Sequence, residues 1–211
     1  MDEMKAAQEV KSINPRLSQT GLLPSALVGL LLVAVLVACG ASQDERVFDQ
    51  AGQELHVILA YEGQARYLEE AQSTSEDAHK LWREYVVEPY REDCVADSEY
   101  TSEAERYITE PILDLERLSR AVNTLRASDA QQLVEGALRN SSRKLGGPDA
   151  NVCIFVASDY QSTYAPEGES GGGGFTAGSG KILLFVNPSE EDWKKRTPYV
   201  VAHEYHHSVW T

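Results

Sequence analysis

Hydrophobic and polar positions change their spacing along this chain, and each change predicts a different kind of element. From Gly21 to Ala38 the sequence reads GLLPSALVGLLLVAVLVA without a charged residue. Over the following hundred residues the apolar positions recur mostly at helical spacing. Leu81, Trp82, Tyr85 and Val86 form one stripe behind Ser75-Glu76-Asp77, whose side chains suit a helix N-terminus, and Pro89 limits or kinks that helix. Ile112, Leu115, Leu118, Val122 and Leu125 form a second stripe, with Pro111 placed for a first helical turn. Leu133, Val134, Ala137 and Leu138 form a third, which starts after Ser128-Asp129 and ends at Gly146-Gly147-Pro148.

At Asn151 the pattern shortens. VCIFVA at 152–157 and KILLFV at 181–186 are compact, β-branched or aliphatic runs bounded by turn residues, as expected of buried strands. Between them lies a loop of about twenty residues containing Gly171 to Gly174; loops of that length are functional or disordered, so this one reads as a linker or as a flap beside a groove. Pro198 then opens a last helix, PYVVAHEYHHSVW, with Val200, Val201, Tyr205 and Val209 on an inward face. These elements predict an α+β, helix-rich fold. Its small sheet includes Val152–Ala157 and Lys181–Val186, and the last helix packs on it through Val200, Val201 and Val209.

Composition narrows the function. A chain of 211 residues accommodates one domain behind a targeting segment. Its formal net charge of −14 offers no basic patch to displace counterions, which excludes nucleic acid as a partner. Lys5, Lys11 and Arg16 precede the apolar run, in the order of a secretory signal. The run ends in Leu36-Val37-Ala38-Cys39, which resembles the lipobox of bacterial lipoproteins, where the cysteine is acylated and becomes the mature N-terminus. That resemblance implies a signal peptide at 1–38, a lipid-anchored tether at 39–47, and a domain at 48–211 held on the extracytoplasmic face of a bacterial cell membrane through Cys39. An uncleaved anchor is the other reading, because the apolar run approaches the roughly 20 residues that span a bilayer. Both place the domain in an oxidising compartment, where Cys94 and Cys153 either close a disulfide or stay as two separate buried thiols.

The chemistry is concentrated near the end of the chain. His203-Glu204-Tyr205-His206-His207 is an HExxH sequence on a predicted helix. Residues four apart lie one turn apart on one helix face, so His203 and His207 can aim their imidazoles at one Zn²⁺. Glu204, beside them, is the catalytic candidate: it would deprotonate a water whose pKa the metal lowers and pass the proton to a leaving amine. His206, three residues after His203, either competes as a ligand, faces outward or contacts a ligand from behind, and His56 and His79 are isolated. Gly168-Glu169-Ser170-Gly171-Gly172 matches GxSxG formally, but loop residues flank it where a nucleophile elbow needs a strand and a helix.

The stretches GFTAGSGKILLFVNP and TPYVVAHEYHHSVW resemble an uncharacterised bacterial family of zinc-dependent proteases, whose signature is a HEYHH helix after a Gly-rich loop and a strand. The similarity extends back through LWREYVVEPY and GGPDANVCIF. It implies a zincin-like metallopeptidase fold with zinc ligands His203 and His207, catalytic base Glu204, and a peptide or protein substrate. Family members continue past this helix to an acidic third ligand, so the domain is expected to be incomplete at its C-terminus. The alternative is a truncated, non-catalytic surface lipoprotein or binding module that lacks that ligand.

Overall fold

The computed structural model describes residues 44–95, 101–158 and 173–210. All of them belong to the second of two compact units, which begins at Cys39. The signal segment, Cys39 and Gly168 to Gly172 lie outside the described residues.

Five strands form one sheet: β1 (Glu45–Gln50), β2 (Gln53–Ile58), β3 (Ala150–Val156), β4 (Gly173–Gly178) and β5 (Lys181–Val186). Their order is β1-β2-β3-β5-β4, with β2, β3 and β5 parallel and an antiparallel strand at each edge. The expected strands became β3 and β5, and residues read as tether or loop supply the rest. Strand β1 already begins at Glu45, inside the stretch expected as tether. It turns into β2 through Ala51 and Gly52, both at positive φ, a two-residue turn whose twist suits a hairpin. Strand β4 begins inside the glycine run expected as loop.

The helices are α1 (Tyr61–Ser73), α2 (Ala78–Trp82), α3 (Glu88–Cys94), α4 (Thr101–Thr109), α5 (Leu115–Arg126), α6 (Ala130–Leu145) and α7 (Trp193–Trp210). A π-helical turn, Arg83–Val87, joins α2 to α3. Asp77 caps α2 by accepting from the His79 amide at 2.8 Å, and Pro89 sits in the first turn of α3, where its missing N–H is tolerated. Two expected helix starts are corrected. Helix α5 begins at Leu115 rather than Pro111, because the Asp114 side chain accepts from the Arg117 amide and satisfies the first turn there. Helix α7 begins at Trp193 rather than Pro198, leaving the proline in its interior at the loss of one backbone hydrogen bond. The Thr197 hydroxyl donates to the Trp193 carbonyl one turn back.

Alternation along the strands divides the sheet into two covered faces. On one, Phe155 meets Tyr90 of α3 and Phe185 of β5 edge-on or tilted, and Phe175 of β4 meets Tyr107 of α4. On the other, Gly174 and Thr176 of β4 meet α7, which also packs along α6. The sheet is therefore the middle of a three-layer sandwich, with Val152, Ile154, Ile182, Leu183 and Leu184 wholly buried.

Candidate metal centre

Helix α7 buries one side and exposes the other. Thr197, Val201, Glu204, Tyr205 and Ser208 are buried, whereas Tyr199, His203, His206, His207 and Trp210 face solvent. Tyr205 sets the rotation that separates these faces. It is wholly buried. Its hydroxyl donates to the Gly146 carbonyl at 2.6 Å and accepts from Gln53 Nε2 at 2.8 Å. The same Gln53 amide donates to the carbonyls of Gly147 and Pro148, at 2.9 Å each. The middle residue of HEYHH is thus pinned to the α6–β3 turn and to β2. Burial raises the Tyr205 phenol above its ordinary pKa, against the hydrogen bond from Gln53, so the hydroxyl stays protonated and able to donate.

With α7 held in this rotation, His203 and His207 project together. Their rings are 4.6 Å apart between centroids and nearly perpendicular, and their Nε2 atoms are 3.1 Å apart. Tyr199, one turn earlier, stacks on His203 at 6.3 Å. Two nitrogens bound about 2.0–2.1 Å from one tetrahedral zinc stand about 3.3 Å from each other, so the pair fits two positions of such a site. Among the described residues no group of three or more His, Cys, Asp or Glu side chains forms a metal-binding cluster. A catalytic zinc takes three protein ligands, and the pair could supply two of them.

Glu204 points the other way, under the edge of the sheet. It is 8% exposed. The Thr176 hydroxyl of β4 lies 2.8 Å from Glu204 Oε2 and 2.8 Å from the Glu204 carbonyl oxygen. A hydroxyl carries one proton, so it donates to one of these acceptors at a time. Two residues earlier, on the same face of β4, Gly174 lets the strand approach. A Cβ at Gly174 would stand 2.8 Å from Val200 Cγ1 and 3.0 Å from Glu204 Cδ, and would overlap Glu204 Cγ. Just past Thr176 the pairing with β5 shifts by one residue: Thr176 is opposite Ile182 and Gly178 is opposite Lys181. Bulges of this kind re-aim side chains beside functional sites. Sequence reasoning assigned no chemistry to Thr176. Its signal was its place in a strand against the HExxH helix, which glycine-rich flanks concealed.

His206 lies outward, its ring 6.0 Å from His207 and 6.3 Å from Trp210. Cys94 and Cys153 are bonded to each other, with Cα atoms 6.0 Å apart, tying α3 to β3 on the face of the sheet opposite α7. His56 sits on β2 between two carboxylates, bonded through Nδ1 to Glu45 and through Nε2 to Glu54. His79 contributes its backbone amide to the α2 cap.

Two imidazoles one turn apart, with a carboxylate between them in sequence, have the spacing of the HExxH motif. Residues 130–211 match the model of a family described as "Predicted Zn-dependent protease (DUF2268)". The matched segment runs from α6 to α7 and contains His203, Glu204, His207, Gly174 and Thr176. No curated protein and no solved structure gives a significant match.

Proposed function

We propose that this protein is a zinc-dependent peptidase, anchored to a bacterial membrane through a lipid on Cys39 and acting on peptides or proteins outside the cytoplasm. The observation that carries the reading is the pairing of His203 Nε2 with His207 Nε2 at 3.1 Å on the open face of α7, with Glu204 next to His203 in the chain and its carboxylate turned towards β4. His203 and His207 would hold the zinc, and the third protein ligand is not among the described residues. When bound, the metal supplies a Lewis acid that polarises the peptide carbonyl and makes water easier to deprotonate. Glu204 accepts the proton of the attacking water and returns it to the amine of the cleaved bond. Strand β4, at the edge of the sheet and next to α7, has the position from which an extended peptide can be paired backbone to backbone. The family match over 130–211 supports the zinc-protease reading; the uncharged apolar run at 21–38, directly followed by Cys39, supports the location.

Metal content tests the ligand assignment directly. The full-length protein should bind one zinc per chain, and His203→Ala with His207→Ala should lose it while keeping the helical content of the parent. Undiminished zinc in that double variant would refute the assignment.

A further inference from the structure

Of the two oxygens of the Glu204 carboxylate, one is taken and one is not. Oε2 is within 2.8 Å of the Thr176 hydroxyl, and no described residue hydrogen-bonds to Oε1. We infer that Thr176, with Gly174, is the positioning device for Glu204: the hydroxyl ties one carboxylate oxygen to β4, the missing Cβ leaves room for the side chain, and the other oxygen is thereby presented as the proton acceptor. This inference rests on the peptidase reading above.

The physical case has three parts. A glutamate has three rotatable side-chain bonds, and a general base must hold its accepting oxygen within hydrogen-bond reach of the proton it takes. A hydroxyl donating to a carboxylate is a charge-assisted hydrogen bond, stronger than a neutral one, and it is sheltered here because Glu204 is buried. Gly174 and Thr176 lie two apart on a strand, so they face Glu204 from the same side, one by making space and one by making a bond. Thr176 hydrogen-bonds to Glu204 and not to His203 or His207, so the device would act on the base without acting on the metal ligands. The proton moves from the attacking water to the free oxygen of Glu204 and from there to the leaving amine, and Thr176 gives up no proton in the net reaction.

Thr176→Val keeps the shape and removes the hydroxyl; Thr176→Ser keeps the hydroxyl and removes the methyl. In the full-length protein, Thr176→Val should lower kcat roughly ten- to a hundredfold, the scale of a misplaced catalytic group. KM and bound zinc should be near those of the parent, and Thr176→Ser should recover most of the lost rate. A readout independent of turnover is a crystal structure of Thr176→Val, in which the Glu204 carboxylate should leave its place while His203 and His207 keep theirs; Gly174→Ala should displace it too. If Thr176→Val fails to fold, Thr176→Ala compared with Thr176→Ser poses the same question. Parental kcat and an unmoved carboxylate in a variant without the hydroxyl, with Glu204→Gln inactive, would overturn the inference and leave the peptidase reading standing. Equal activity of the parent and Glu204→Gln would instead remove the peptidase reading itself.

Discussion

Gln53 and Tyr205 are 152 residues apart in sequence, yet Gln53 Nε2 donates to the Tyr205 hydroxyl at 2.8 Å in a buried bond. Through it the second strand of the sheet holds the rotation of the helix that carries the HExxH residues. Replacing Tyr205 by Phe keeps the ring and removes the hydroxyl, depriving the Gly146 carbonyl of a donor and Gln53 of one of its three acceptors. Losing hydrogen bonds of this kind costs about 0.5–1.5 kcal/mol each. Urea unfolding of Tyr205→Phe should therefore show a midpoint clearly below that of the parent, and an unchanged midpoint would mean that the bond contributes nothing to docking α7.

Gly147 stands next to this anchor at φ +116°, a conformation that side-chain-bearing residues rarely adopt. A Cβ there would lie 2.6 Å from Val209 Cγ2 and 3.0 Å from the Tyr205 hydroxyl. Gly147→Ala combines backbone strain with a clash against α7, and its expected cost is about 1–3 kcal/mol. Zinc affinity should fall with it, because the same helix carries His203 and His207. A variant with parental stability and affinity would show that the turn yields freely.

His56 gives the fold a pH dependence separate from the metal centre. Burial works against its charged form, but the hydrogen bonds it donates to Glu45 and Glu54, and then their charges, outweigh it, so its folded pKa lies above the ordinary 6.5. A raised pKa means that the protonated imidazole stabilises the fold. The contribution is fully present below about 6.5 and is lost as pH rises through the folded-state value. The difference in unfolding free energy between the parent and His56→Gln should shrink as pH is raised from 6 towards 8. A difference that stays constant would contradict this account of the triplet.

The Cys94–Cys153 bond joins residues 59 apart in the chain. Closing a loop of that length restricts the unfolded ensemble by up to about 4 kcal/mol in the chain-entropy treatment. Thermal unfolding with a strong reductant should occur several degrees lower than without it. The double replacement Cys94→Ala, Cys153→Ala should match the reduced parent and be insensitive to reductant. Equal melting with and without reductant would indicate that the bond adds no stability.

Much of this was legible in the sequence, for physical reasons that differ by element. Strands β3 and β5 lie inside the sheet with covered faces on both sides, so their residues are continuously apolar and stand out. Helices α5 and α6 have one wet and one dry side, which imprints a stripe. HEYHH announced itself because the chemistry fixes both residue types and spacing. Strand β4 did not, since an edge strand pressed against a helix side chain needs glycine at 174 more than it needs large apolar residues. Only Phe175 and Thr176 carry the ordinary strand signal there. The hairpin of β1 and β2 offered alternation around Phe48, Leu55 and Val57, but helical patterning further along outweighed it. Pro111 and Pro198 misled in one way: a proline suits a first turn, but the actual starts were set by the Asp114 cap and by a helix long enough to absorb Pro198.

In the proposed mechanism Glu204 is the proton-transferring base of a peptidase whose zinc His203 and His207 would hold. Peptide hydrolysis by the zinc-loaded full-length protein, compared with Glu204→Gln loaded to the same stoichiometry, tests it most directly. The account predicts turnover in the parent and a loss of at least about a hundredfold in the variant, the scale of general acid–base catalysis, with zinc content and fold unchanged. Equal turnover in the two proteins would contradict it.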